Sequence, residues 1–183
     1  MKQRIQTTGK RVLPENTPRR TLRCSHFWGD MDLVKYIAAA AVLLLLLLNL
    51  LSHYVSVVRY YGNGMEPTLS DREVLLVVKT QEVGEGDVIA FYYNNKVLVR
   101  RVVCEGGREL SIDAAGNVSI DGEPLAEPYV VARSMGQCNL TFPYDVPVGQ
   151  LFVMGDNRPV AMDSRLSEIG TISKDRVIGK VIH

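Results

Sequence analysis

An uncharged apolar segment near the N-terminus limits the possible folds of this chain more than any other feature. Residues 36–58 contain no Asp, Glu, Lys or Arg, and they are bounded by Lys35 and Arg59. A helix of about 20 such residues crosses the roughly 30 Å hydrocarbon core of a bilayer. The leucines at its centre favour insertion by more than Asn49 opposes it. The sequence therefore predicts a transmembrane helix over residues 33–58.

A cleaved signal peptide is the alternative interpretation of this segment. Signal peptides carry a short basic region before the apolar stretch and a cleavage site of the small-x-small type after it. Here the basic region is unusually long, and no clear cleavage site follows the leucines. These features favour a span that the mature protein keeps.

The charges that flank the segment predict its orientation. Seven basic residues lie in the tail, whereas Arg59 alone directly follows the span. The seven are Lys2, Arg4, Lys10, Arg11, Arg19, Arg20 and Arg23. Because loops rich in Lys and Arg stay in the cytoplasm, we expect a cytoplasmic N-terminus and a domain outside the cell membrane. Residues 1–32 lack apolar periodicity, so we expect a disordered basic tail.

Residues 59–183 have the pattern of a mainly β domain. Several segments are rich in β-branched residues or alternate between apolar and polar residues. They are residues 74–79, 87–93, 96–103, 110–113, 117–121, 150–154 and 177–182. Asn94 and Asn95 fit a hairpin turn, because Asn tolerates a positive φ. With no long helical period after the membrane segment, an all-β outer domain is expected.

Charge and cysteine distribution argue against two kinds of site. The formal net charge is +1, and the basic excess lies in the tail, so nucleic acid is not an expected partner. The histidines are scattered and the cysteines form no CxxC pair, so we expect no metal or other cofactor. Cys104 and Cys138 either form a disulfide in an oxidising outer compartment or remain free thiols.

Two motifs are more specific than β composition. One is Gly62-Asn-Gly-Met-Glu-Pro-Thr-Leu69, followed by Gly86-Asp-Val-Ile-Ala-Phe91. The other is Gly155-Asp-Asn-Arg-Pro-Val-Ala-Met-Asp-Ser-Arg165, followed by Ile178-Gly-Lys180. Together with Val97-Leu-Val-Arg-Arg-Val-Val103, these stretches resemble the motifs of type I signal peptidases in order and spacing. The resemblance covers the membrane helix and residues 59–183.

The resemblance implies a membrane-tethered serine protease that removes signal peptides from exported proteins without a metal or nucleotide. It also implies a twisted, mostly antiparallel β domain whose apolar face lies at the membrane. In this family a serine is the nucleophile and a lysine is the general base. A serine hydroxyl attacks only when a base takes its proton. A buried lysine can be that base because an apolar setting favours its neutral form.

This chain departs from the family pattern at the positions that carry the chemistry. Gly64 stands where the family has its nucleophilic serine, and Arg100 stands where it has the catalytic lysine. Ala161 replaces a serine that supports the lysine. Glycine has no atom that can attack a carbonyl, and arginine cannot be deprotonated in a protein. The Gly-Asp pairs usual in the family are also replaced, by Arg72-Glu73 and Gly107-Arg108.

The residues that support the site in the family are present. They are Met65, Pro67, Gly155, Asp156, Arg158, Asp163, Ser164 and Arg165. The resemblance implies that the acidic and basic residues among them pair in the interior and hold the loop beside the site. Breaking a buried pair costs about 3–5 kcal/mol because it leaves an uncompensated charge. We therefore expect these residues to maintain the fold.

The sequence thus predicts a folded signal peptidase homologue that lacks the catalytic residues. Peptidases of this family take their substrate as an added strand, and this binding does not need the serine or the lysine. Catalytically incomplete relatives in Gram-positive bacteria resemble accessory factors of pilus assembly. The expected partners are therefore the lipid bilayer, extended segments of exported proteins (signal peptides or pilins) and a sortase. The alternative is a functioning signal peptidase that uses other residues, with Thr68 and Ser70 as candidates.

Arg100 carries a further expectation. Because an unpaired buried charge is very costly, we expect its side chain to point toward solvent or to pair with an acid.

Overall fold

The computed structural model describes residues 27–182, with side chains from residue 32 onward. Helix α1 (Phe27–Tyr54) contains the apolar segment, and its part from Asp32 to Tyr54 is long and apolar enough to cross a membrane. The helix begins and ends earlier than the predicted span of 33–58, because residues 55–58 belong to a strand. The predicted disordered tail lies outside the described residues, apart from residues 27–32, which are helical.

Two antiparallel sheets follow the helix, and they confirm the mainly β fold. The strands are β1 (Val55–Arg59), β2 (Val74–Val78), β3 (Val88–Tyr93), β4 (Lys96–Glu105), β5 (Glu109–Ile112), β6 (Val118–Ile120), β7 (Glu123–Pro124), β8 (Tyr144–Asp145), β9 (Gln150–Met154), β10 (Ile172–Ser173) and β11 (Val177–Ile182). Seven of them form one sheet in the order β1-β2-β11-β3-β4-β9-β10. The other four form a sheet in the order β7-β6-β5-β8. A short 3₁₀ turn, Lys174–Arg176, precedes β11.

The predicted strands are present, with bounds that agree to within two residues. The hairpin between β3 and β4 turns through Asn94 and Asn95, whose φ angles are 44° and 59°, as predicted. Sequence reasoning missed β1 because its valines continue the apolar run of the helix. It also missed β7, β8 and β10, since a strand of two residues shows no alternation.

Strand β4 positions the candidate site. Successive side chains of a strand point to opposite faces, so Arg100 and Arg101 face different surroundings. Residues 96–101 of β4 pair with β3, whereas pairing with β9 begins only at Arg101. Within the described residues, the edge of β4 from Lys96 to Arg100 therefore has no second strand beside it.

The two cysteines of the β domain are both free thiols, Cys104 buried and Cys138 half-buried. The sequence left open a disulfide or two free thiols, and the structure has the free thiols.

Candidate functional site

Three sequence-predicted positions meet at one place in the β domain. Gly64 comes from the segment between β1 and β2, Arg100 from β4, and Ala161 from the loop after β9. A Cβ atom built on Gly64 would lie 3.3 Å from Arg100 Nη2 and 3.5 Å from Ala161 Cα. Positions 64, 100 and 161 are therefore neighbours, as an active site assembled from them requires.

Arg100 is buried, with only 7% of its surface exposed. Its Nε donates to the carbonyl of Met162 at 2.9 Å, and its Nη1 donates to the carbonyl of Val99 at 2.6 Å. No carboxylate of the described residues lies within ion-pair distance of this guanidinium. Of the two arrangements expected for Arg100, pairing with an acid is therefore wrong, and contact with solvent is limited to that small exposed fraction. Main-chain carbonyls accept hydrogen bonds from two of its nitrogens instead.

Tyr60 is a functional group beside Arg100 that sequence reasoning missed. Its hydroxyl accepts a hydrogen bond from the main-chain N–H of Met65 at 3.0 Å. Burial raises the pKa of Tyr60, and the positive charge of Arg100 acts in the opposite direction. Burial lowers the pKa of Arg100, opposed by Tyr60 and Asp163. The only signal for Tyr60 in the sequence is its position just before the first motif.

The other guanidinium of β4, on Arg101, is held by Asp156. Arg101 Nε lies 2.9 Å from one carboxylate oxygen of Asp156, and Nη2 lies 2.6 Å from the other. The Arg101 side chain also stacks 4.0 Å from the centre of the Tyr129 ring. Asp156 is 1% exposed, so this is an ion pair shielded from water. It ties β4 to the start of the loop that carries Ala161.

A second buried pair closes that loop on itself. Arg165 donates to the carboxylate of Asp163 through Nε and Nη2, each at 2.8 Å. Asp163 also accepts from the N–H of Gly155 at 2.9 Å. Arg158 forms an ion pair with Glu127, and both side chains are fully buried. Glu127 lies outside the sequence motifs. Glu127 is therefore a supporting residue that the sequence did not reveal.

The remaining supporting residues pack around the same loop. Ser164 Oγ accepts from the N–H of Val153 at 3.0 Å. Met65 is completely buried in a core cluster with Tyr60 and other apolar side chains. Pro67 lies on the surface. A Cβ on Gly155 would lie 2.4 Å from Ala161 Cβ, so this position has room for glycine alone.

A surface cavity of about 330 Å³ opens beside Arg100. We call it the Arg100 cavity. Its walls include residues 60–64, Leu98 and Arg100 of β4, and Val160 and Met162 of the loop after β9. Lys96 lies at its rim, exposed and four residues before Arg100. The cavity thus lies next to the edge of β4 that lacks a second strand.

The model of the signal peptidase family, peptidase S26, matches residues 32–183. The chain belongs to this family. Signal peptidase I T of Bacillus subtilis (strain 168) is 33% identical across 94% of this chain and 91% of that protein. A signal peptidase I of Bacillus licheniformis is 38% identical across 64% of this chain and 69% of that protein. A crystal structure of a signal peptidase I from Enterococcus faecalis V583 aligns with a TM-score of 0.47 and 26% identity, covering 55% of this chain and 97% of that one.

Two hydroxyls near the site were candidates for a replacement nucleophile in a signal peptidase of this kind. The Thr68 hydroxyl donates to Asp156, the same carboxylate that Arg101 holds. Ser70 is exposed, and its N–H donates to Glu73 at 2.8 Å. Neither residue lines the Arg100 cavity. Thr68 therefore has a structural partner, and Ser70 lies on the surface outside the cavity.

Proposed function

We propose that this chain is a signal peptidase homologue without peptidase activity that binds extended segments of exported proteins at the membrane. One observation carries the proposal. The Arg100 guanidinium, at the position that the motif resemblance assigns to the family's base, lies next to a residue 64 that has no side chain. The ion pairs around that position are all present.

The chemistry of these residues supports inactivity. A guanidinium has donors only and cannot accept a proton at any pH that a folded protein survives. Arg100 therefore cannot activate a hydroxyl or a water molecule as a general base. Gly64 offers no atom for a covalent intermediate. A full catalytic cycle would need both functions from other residues.

Binding does not need either function. The edge of β4 from Lys96 to Arg100 is available to an added strand, whose main-chain groups would pair with it. Beside that edge, the cavity wall exposes 68% of Tyr61, 45% of Val160 and 54% of Met162. Apolar side chains exposed around a cavity are typical of a surface that binds apolar segments.

A second apolar surface supports contact of the β domain with lipid. Val57 of β1 and Ile182 of β11 both lie opposite Leu76 of β2 in the sheet register. All three are more than half exposed. We propose that this surface rests on the outer face of the membrane, with residues 1–32 in the cytoplasm and residues 59–183 outside, as the basic tail predicts.

A working signal peptidase is the second candidate, because the relatives described above are named as signal peptidases. It would require a nucleophile and a base that differ from those of the family. The pilus-assembly role, with a pilin or a sortase as partner, stays a prediction from the sequence resemblance.

Binding and cleavage can be measured together on the full chain in lipid nanodiscs. We expect a labelled signal-peptide segment to bind and to keep its full mass after prolonged incubation. Val160→Asn should weaken binding, because it makes the cavity wall polar, whereas Val148→Asn is a matched change at a valine that is 85% exposed and does not line the cavity. A shortened peptide, or equal binding by both variants, would contradict the proposal.

A further inference from the structure

The buried charges of the β domain do not balance. Among the described residues, four guanidinium groups and three carboxylates are buried. They are Arg100, Arg101, Arg158 and Arg165 on one side and Glu127, Asp156 and Asp163 on the other. The carboxylates form three ion pairs, with Arg158, Arg101 and Arg165 respectively. Arg100 is the one buried cation of this set that is left over.

The nearby carboxylate of Asp163 does not neutralise Arg100. Its two oxygens already accept hydrogen bonds from Arg165 and from the N–H of Gly155. The two carbonyls that Arg100 contacts are neutral. Carbonyl oxygens satisfy donors but do not cancel a full charge, and a buried cation is most stable with an anion beside it. The site as built is therefore complementary to a negative ligand.

The guanidinium is also accessible to a ligand. Arg100 lines a cavity of about 330 Å³, so a group that enters the cavity can reach it. Two of its nitrogens donate to carbonyls, whereas Nη2 faces Gly64 at 3.3 Å from the position of a Cβ. Gly64 therefore packs against one side of the guanidinium, and a ligand reaches Arg100 from the cavity that both residues line. Lys96 adds a second positive charge at the rim.

We infer that the Arg100 cavity binds the C-terminal carboxylate of an extended, apolar peptide. That the ligand is an extended peptide rests on the proposed function. That the peptide ends in a carboxylate follows from the unpaired positive charge of Arg100. The unpaired edge of β4 runs from Lys96 to Arg100, so a strand added along it reaches the guanidinium. The walls formed by Tyr61, Leu98 and Met162 suit apolar side chains rather than a phosphate group. A carboxylate in the cavity would make a charge-assisted hydrogen bond with the Arg100 guanidinium.

The test compares two peptides on the full chain in nanodiscs. Both have the same apolar sequence and an N-terminal fluorophore, and one ends in a free carboxylate whereas the other ends in an amide. We expect the acid to bind roughly tenfold or more tightly than the amide, since hydrogen bonds to charged groups are among the stronger ones. Arg100→Gln should abolish the difference. Arg133→Gln, the same change at an exposed arginine, should preserve it.

Each outcome separates the inference from the proposed function. Equal binding of the acid and the amide would overturn the carboxylate site and leave the proposed function standing. No binding of either peptide would overturn both. Displacement of the acid peptide by acetate at equal concentration would show a site for any small carboxylate and overturn the assignment to a peptide terminus. The comparison on the unmodified chain decides these cases even if Arg100→Gln fails to fold.

Discussion

Arg100 Nη2 lies 3.3 Å from the position that the Cβ of residue 64 would occupy. The φ angle of Gly64 is outside the left-handed region, so its backbone does not demand glycine. At Gly155, by contrast, a Cβ would lie 2.4 Å from the carbonyl oxygen of Gly64. Glycine is therefore a steric requirement at position 155 but not at position 64. The fold itself does not explain the absence of a serine side chain at residue 64.

This difference predicts how two alanine substitutions behave. Gly64→Ala should change the free energy of unfolding by less than about 1 kcal/mol, because only the flexible end of Arg100 must move. Gly155→Ala should cost about 1–3 kcal/mol, since main-chain atoms must shift to admit the methyl group. Urea unfolding of the full chain in detergent measures both. Equal costs for the two variants would contradict the steric argument.

The buried pair of Arg101 and Asp156 should dominate the stability of the loop after β9. Asp156→Asn leaves a buried guanidinium without its anion and should cost about 3–5 kcal/mol. Asp121→Asn is the matched control, because Asp121 pairs with Arg108 on the surface, where the side chains are 48% and 41% exposed. That change should cost far less, because water screens an exposed pair. Similar losses in the two variants would show that the buried pair has no special role.

Cys104 should be unreactive in the folded protein. Burial first, and the nearby charge of Glu85 second, raise the pKa of its thiol to about 11. At pH 8 roughly one such thiol in a thousand is ionised, and only the thiolate reacts with iodoacetamide. Peptide mapping should therefore find Cys104 unmodified at pH 8 and modified after denaturation in urea. Modification in urea only after a reductant is added would reveal a disulfide and contradict the free thiol.

The sequence predicted the fold class and most strands because their signals are local. Runs of β-branched, aliphatic and aromatic residues mark β2 and β3, and two asparagines mark the turn between β3 and β4. The end of the helix was misplaced because the valines of β1 are as apolar as the helix. Such a boundary is fixed by pairing with β2, which leaves no mark within residues 55–58 themselves.

For the candidate site, the motif resemblance named residues that the structure brings together, but it did not predict their hydrogen-bond and ion-pair partners. The motifs named Asp156, Arg158, Asp163 and Arg165, yet gave no sign of Glu127 as the partner of Arg158. Arg100 was expected to need an acid or water, whereas two main-chain carbonyls hold it. A carbonyl group is present at every residue, so a contact of this kind cannot be inferred from residue types.

The orientation of the span gives a prediction that is independent of the site. Protease added to intact spheroplasts should digest residues 59–183 and spare the basic tail, because the positive charges precede the span. Antibodies against a tag at each end can follow the two parts. Digestion of the tail alone, and only after lysis, would mean that the topology is the reverse.

Restoring the family's residues one at a time should increase peptidase activity non-additively, because the nucleophile and the base act only together. Gly64→Ser alone should give no cleavage, since the new hydroxyl would face a guanidinium that cannot take its proton. Arg100→Lys alone should fail because residue 64 still offers no nucleophile. The two changes together should give weak cleavage, and Ala161→Ser should raise it by roughly a hundredfold through a hydrogen bond that orients the lysine. Activity in either single variant would contradict this dependence.

The most direct test compares the unmodified chain with the triple variant Gly64→Ser, Arg100→Lys, Ala161→Ser in cleavage of one preprotein, followed by mobility shift. If the chain has lost the catalytic residues but kept the fold and the binding surface, the preprotein should show no mobility shift with the unmodified chain. It should shift to the mature size with the triple variant. Cleavage by the unmodified chain at the rate of the triple variant would contradict the account. A folded triple variant that never cleaves would show that the binding surface has changed as well.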